Sequence, residues 1–230
     1  MITSPLSSSP LFFVGPVPIA SQVVVTWCII ALFAVLAHLI GHVLRLRPGR
    51  LQSVAELFYV TLDQQIRDTM QTDPQPYRAF AATLFLFVLC ANLSSLVPGV
   101  EAPTAHIETD AALALIVFFS IIVFGIRSRG LMGYLKSFAD PTWMMVPLNL
   151  VEALTRTFSL MLRLFGNMMS GAFVIGIVVS LAGLFVPIPF MALDILVGII
   201  QAYIFSMLTL VFIGAAVGEE DRGSLIKEAT

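Results

Sequence analysis

Apolar residues in this chain gather into long unbroken stretches instead of alternating with polar ones, and that pattern sets the fold class. Spanning a hydrocarbon layer of about 30 Å takes about 20 apolar residues in a helix. Runs of this kind occupy residues 22–44, 79–98 and 111–126, and two longer ones follow at 147–184 and 190–217. They predict an all-α integral membrane protein with about five membrane spans in a single domain.

Residues 51–72 follow a different rule. Leu51, Val54, Leu57, Phe58, Leu62 and Ile66 are interleaved with Glu56, Asp63, Arg67 and Asp68. That mixture predicts an amphipathic helix lying on the membrane surface between the first two spans. Farther on, no proline interrupts the stretch from Pro147 to Leu184, which as one helix would exceed about 50 Å and would have to tilt steeply. Gly183, Pro187 and Pro189 then break the chain. The last two spans are therefore expected to form a hairpin of long, strongly tilted helices.

Charge is scarce. Only 11% of the residues are charged and 58% are apolar, against about 25% charged in soluble domains, so there is too little polar surface to coat a water-soluble globule. A net charge of −2 supplies no basic face for displacing counterions from phosphates, which excludes a nucleic-acid partner. The basic residues are also one-sided. Arg45, Arg47, Arg50, Arg67, Arg78, Arg127, Arg129, Lys136, Arg222 and Lys227 all fall on one side of a five-span arrangement, and Glu101, Glu108 and Asp110 fall in the loops of the other. Lys and Arg mark cytoplasmic loops, so the segment 1–21 is expected outside and the tail 218–230 in the cytoplasm. Segment 1–21 contains no Lys or Arg and is rich in Ser and Pro, unlike a secretory leader, so the first apolar run is read as a retained span.

Cys28 and Cys90 sit inside apolar runs without metal-ligand spacing and are read as small hydrophobes. His38 and His42 stand at i, i+4 near the inner end of the first span, without a third ligand nearby, and His106 is remote from both. No metal and no cofactor is expected, and no phosphate-binding loop is present.

Two cations break the apolar pattern. Arg156 and Arg163 lie deep in the run 147–184, where a charge in lipid costs several kcal/mol. Steps of three and four along that helix pass through Asn149, Glu152, Arg156, Ser159, Arg163, Asn167 and Ser170, one continuous polar face on an apolar rod. Glu152 and Arg156 can neutralise one another at i, i+4, and Asn and Ser can bond to other helices, so part of the face has a purely structural reading. Arg163 differs, because Glu152 is eleven residues away and no acidic residue lies within a turn of it. A guanidinium remains protonated even when poorly solvated, so it attracts a carboxylate without passing a proton on. In the final span Asp194 and Gln201 share a face seven residues apart, with Asp194 near the outer end where water can reach it or where it can simply sit at the interface.

The runs SLMLRLFGNMMSG (Ser159 to Gly171) and QAYIFSMLTLVFI (Gln201 to Ile213) resemble the a subunit of F-type ATP synthases, also called subunit 6. VPLNLVEALTR around Asn149 and Glu152, and NLSSLVPG beginning at Asn92, extend the likeness to roughly residues 79–217. The resemblance implies an ion-translocating stator subunit of the membrane sector, Fo. In that family the arginine matching Arg163 faces the carboxylates of a rotating c-subunit ring, and the positions matching Asn167 and Gln201 line the ion path. The resemblance also implies H⁺ or Na⁺ as the transported ion, the b-subunit peripheral stalk and the remaining ATP synthase subunits as partners, and a bacterial plasma membrane. It makes the chain no enzyme on its own.

One departure stands out. Many relatives carry a glutamate just after the small residues following RLFGN, where this chain has Ala172, and some place a histidine or glutamate where this chain has Asp194. Asp194 is therefore expected to supply the acidic group of the outer channel, in a divergent branch that is a candidate for sodium coupling. A stand-alone secondary ion transporter is the competing function, but it would more often show internal repeats and midplane helix breaks. An intramembrane enzyme would need a nucleophile and base or a metal cluster, for which the scattered histidines give no support.

Overall fold

In lipid a chain must satisfy its own backbone groups, and a long apolar run with β-branched and Leu residues does so as helix. The structure, a computed structural model, describes residues 10–14, 17–43, 50–96, 100, 102–139, 144–183 and 185–217. Six helices follow in order: α1 (Ser21–Val43), α2 (Arg50–Met70), α3 (Gln75–Leu93), α4 (Ile107–Ala139), α5 (Met145–Ala182) and α6 (Ile188–Val217). All but α2 are long and apolar enough to cross a membrane, which is the all-α, five-span class the apolar runs predict. A short antiparallel hairpin, β1 (Pro10–Val14) with β2 (Val17–Ala20), precedes α1 and has no counterpart in the sequence reading. Residues 1–9, the tail 218–230, Arg45, Arg47, Glu101 and the side chains of Arg50 and His42 lie outside the described residues.

The core is apolar and shared by four helices. Leu84 and Val88 of α3, Leu113 and Val117 of α4, Leu160 and Leu164 of α5, and Ala202 and Phe205 of α6 form one cluster. A second cluster joins Ile66 and Met70 of α2 to Tyr77 and Ala81 of α3 and to Leu210, Ile213 and Val217 of α6. Through it the C-terminal half of α2 docks on the bundle, while Val54, Leu57 and Val60 of its N-terminal half stay exposed. An Arg78–Asp63 ion pair and a hydrogen bond from Tyr203 Oη to Gln65 Oε1 (3.0 Å) add polar ties to α2.

Helix α4 extends beyond the apolar run 111–126 at both ends. Gly130 adopts φ 71°, a region that L side chains avoid, and interrupts the helix so that the chain after it folds back. Tyr134 then lies over Gly125, where a β-carbon would come within 2.6 Å of the ring. Helix α5 ends at Gly183, φ 77°, and a turn through Val186 and Pro187 enters α6, so the two longest apolar runs do form a hairpin.

The bundle thus has two distinct ends. At the hairpin end lie the close of α3, the start of α4, the close of α5 and the start of α6. At the opposite end lie Arg67, Arg78 and Lys136, each within a turn of a helix terminus, and Arg127 and Arg129, just before the break at Gly130 in α4. Asp110 differs from the sequence expectation: it does not sit in a loop but occupies the first turn of α4, completely buried.

Candidate functional site

Helix α5 has one edge that the rest of the chain covers and one that it leaves open. Leu160, Leu164 and Met168 are buried against the neighbouring helices. On the adjoining edge, about a quarter of the way round, Glu152, Ser159, Arg163 and Ser170 are exposed, and Asn149, Arg156 and Asn167 are half-buried. All seven polar positions expected to share a face therefore escape full burial, because the apolar edge wins the core.

Arg163 is exposed, and among the described residues no carboxylate pairs with it. Its Nη2 lies 3.5 Å from Ser159 Oγ, the long limit of a hydrogen bond. Ser170 Oγ donates to the Asn167 backbone carbonyl (2.9 Å), a local bond that leaves the Asn167 amide available.

Two turns from Arg163 toward the end opposite the hairpin, Arg156 pairs with Glu152 and lies 5.2 Å from the centre of the Phe212 ring of α6. A guanidinium over an aromatic face is held by the ring quadrupole, which orients it without neutralising it. These residues, with Leu148, Val151, Thr155 and Ser159, line an open groove of about 530 Å³ that reaches within one turn of Arg163.

At the hairpin end the polar groups are enclosed. Asn92, in the last turn of α3, donates from Nδ2 to the Gly198 carbonyl of α6 (2.9 Å) and accepts at Oδ1 from Thr104 Oγ1 (2.8 Å). Asn92 is 3% exposed and Thr104 0%, so each hydrogen bond replaces water that cannot enter. Gly198 admits Asn92 closely, since a β-carbon there would meet the Asn92 Cβ at 3.3 Å. One turn outward, the half-buried Asp194 carboxylate packs directly on Gly171 of α5, where a β-carbon would collide with it, and Ser95 lies within hydrogen-bonding reach. One turn inward, Gln201 is 6% exposed and its Nε2 has no partner among the described residues.

Asp194 and Gln201 thus share one polar region, as their spacing predicts, while Glu152, Arg156 and Asn149 belong to the other end. Between these regions, Arg163, Asn167 and Ser170 line the open edge of α5. Sequence reasoning missed Ser95, Thr104 and the side-chain role of Asn92, although NLSSLVPG had been singled out as a run. It also misplaced Asp110. The available signal was its spacing from Leu113, Ala114 and Val117, which puts it on the buried stripe of α4.

The family model described as "ATP synthase A chain" matches residues 23–214. A relative named "ATP synthase subunit a 2" from Bradyrhizobium sp. (strain BTAi1) is 55% identical over 223 residues, covering 97% of this chain and all of its own length. "ATP synthase subunit a" of Albidiferax ferrireducens is 43% identical over 204 residues, 88% of each chain. A Picosynechococcus sp. protein named "ATP synthase subunit a 2" is 41% identical, over 90% of this chain and 89% of its own.

Proposed function

Since the chain belongs to the ATP synthase A chain family, we propose that it works as the ion-translocating stator subunit of the Fo sector of a rotary ATP synthase. It is a multi-pass bacterial membrane protein that acts with the other ATP synthase subunits, and ATP chemistry belongs to those. Names shared across nearly the full chain disfavour a stand-alone transporter.

The single observation that carries the mechanism is Arg163, exposed on a polar edge of α5 and free of a carboxylate among the described residues. A cation in the membrane needs a counter-charge, and a ring of c subunits, each offering a carboxylate at mid-membrane, supplies it. An ionised carboxylate is costly in lipid and a neutralised one is not. Opposite Arg163 the ionised form is stabilised, so each ring site gives up its ion there and takes up another before re-entering lipid. Arg163 cannot carry the proton itself, and so it separates the entry route from the exit route.

Access from the two sides follows the two polar regions. The groove of Glu152, Arg156 and Ser159, with Asn149 near its mouth, serves the cytoplasmic side, in keeping with the basic residues at that end. The cluster of Asp194, Gln201 and Asn92 serves the outer side, with Asn167 and Ser170 continuing the outward face of α5 beyond Arg163. Asp194 reaches Gly171, beside Ala172, which supports the reading that a carboxylate from α6 stands in for the α5 glutamate that the family resemblance leads one to expect there. Helix α5, with 38 residues, measures about 57 Å, nearly twice the hydrocarbon thickness of about 30 Å, so it crosses strongly tilted along the ring. The b-subunit stalk holds the subunit against rotation, the N-terminus faces outward, and the transported ion is a proton or a sodium ion.

Replacing Arg163 by Ala tests the reading in inverted membrane vesicles. The complex should assemble with its ring and ATPase head, and ATP-driven ion pumping should fall to background. Pumping at the wild-type rate by assembled complex would remove the basis of the proposal.

A further inference from the structure

Asp110 is the only carboxylate among the buried side chains of the described residues, with 0% exposure. Neither of its oxygens has a hydrogen-bond partner among the described residues. It stands in the first turn of α4, where its backbone N–H bonds to the His106 carbonyl (3.3 Å). Its helix face continues inward through Leu113, Ala114 and Val117, and Leu113 and Val117 share the central cluster with Leu164 of α5 and Ala202 of α6. Two unpartnered buried polar groups, the Asp110 carboxylate and the Gln201 Nε2, therefore border that cluster on its hairpin side. The Thr104–Asn92–Gly198 bonds tie the α4 entry to α6 at the same end of the bundle.

A buried carboxylate without donors gains nothing for packing. Ionised, it pays a desolvation cost that no donor among the described residues offsets, and neutral, it packs no better than an isosteric amide or a leucine. It becomes useful when a cation comes and goes.

We infer that Asp110 is a second carboxylate of the outer access route, taking up the transported monovalent cation from the hairpin end and releasing it toward the Asp194 and Gln201 cluster. With Na⁺ the step is coordination and changes no covalent bond; with H⁺ the carboxyl O–H bond forms on uptake and breaks on release, and neither case consumes a further reactant. The inference rests on the stator-subunit reading and adds a residue on α4 to a route otherwise built from α3, α5 and α6.

The test uses the whole complex in inverted vesicles, in sodium-free and in sodium-containing buffer, with Asp110→Asn, Asp110→Glu and Arg163→Ala side by side. Asp110→Asn keeps the shape but cannot exchange a cation. It should lower pumping of whichever ion drives the wild type by roughly a hundredfold or more, with the ring and head still bound, while Asp110→Glu recovers a large part. A separate variant, Asp110→Cys in a chain lacking Cys28 and Cys90, is exposed to Ag⁺ after the head is stripped. Block of passive ion conductance supports a water-connected route through this position. Wild-type pumping by Asp110→Asn, or conductance insensitive to Ag⁺, overturns the inference. If Arg163→Ala abolishes pumping in that case, the stator reading stands and only the role of Asp110 falls; if Arg163→Ala pumps normally, the stator reading itself falls.

Discussion

The two polar regions of this bundle handle membrane burial in opposite ways. At the hairpin end Asn92 and Thr104, with 3% and 0% exposure, are sunk among helices and bonded to each other, and Asn92 also donates to the Gly198 carbonyl. At the other end the Glu152 and Arg156 side chains keep 52% and 39% of theirs and line an open groove. Buried hydrogen bonds have one good geometry and so fix how α3, α4 and α6 meet. The exposed ion pair fixes little, and its charges stay open to water and to a partner. Arg163, between the two, has no carboxylate partner among the described residues.

Gly171→Val should strike this arrangement hardest. A side chain at 171 meets the Asp194 carboxylate, so the carboxylate must move or α5 must part from α6. Pumping should fall by about a hundredfold, the usual consequence of displacing a working group by an ångström or so. Gly176→Ala on the same helix, with nothing within 4 Å of the added carbon, should leave pumping unchanged. Equal behaviour of the two variants would mean that the Gly171–Asp194 contact is irrelevant to transport.

A smaller effect, on stability, is expected from Asn92→Leu. It strands the Thr104 hydroxyl and takes a donor from the Gly198 carbonyl, at a cost of about 2–4 kcal/mol. The midpoint of thermal dissociation of the purified complex reads this directly. An unchanged midpoint would show that the hairpin end is wet enough to re-satisfy both groups.

Least of all should come from Glu152→Gln. The pair it breaks is exposed, so the stability change should be about 0.5 kcal/mol or less, and Arg156 keeps its place over Phe212. A loss as large as that of Asn92→Leu, measured the same way, would erase the distinction between a dry end and an open one.

Much of the fold was legible because membrane helices announce themselves one at a time. Each apolar run long enough to cross lipid became a helix, and the spacing of Asn149 through Ser170 identified an edge of α5 that stays out of the core. The lone cation at Arg163 was legible for the same reason, since the absence of an acid within a turn is a property of one helix. Asp110 was misread because a carboxylate near an apolar run looks like a loop charge until the neighbouring helices close over it. Ser95, Thr104 and Asn92 acquired their roles only through partners far away in the chain, and the β1–β2 hairpin had no periodic signal strong enough to stand out.

By itself, then, the sequence determined which segments are helices, which edge of α5 is polar, and that a guanidinium sits there without a neighbouring acid. Those are consequences of hydrophobicity and of the 3.6-residue repeat, which act within a turn or two. Only the tertiary structure decided that Asp194 lies on Gly171, that Asn92 holds Gly198, and that Asp110 is buried without a donor among the described residues. Those contacts join residues on different helices, and the packing of apolar faces, not any local preference, brings them together.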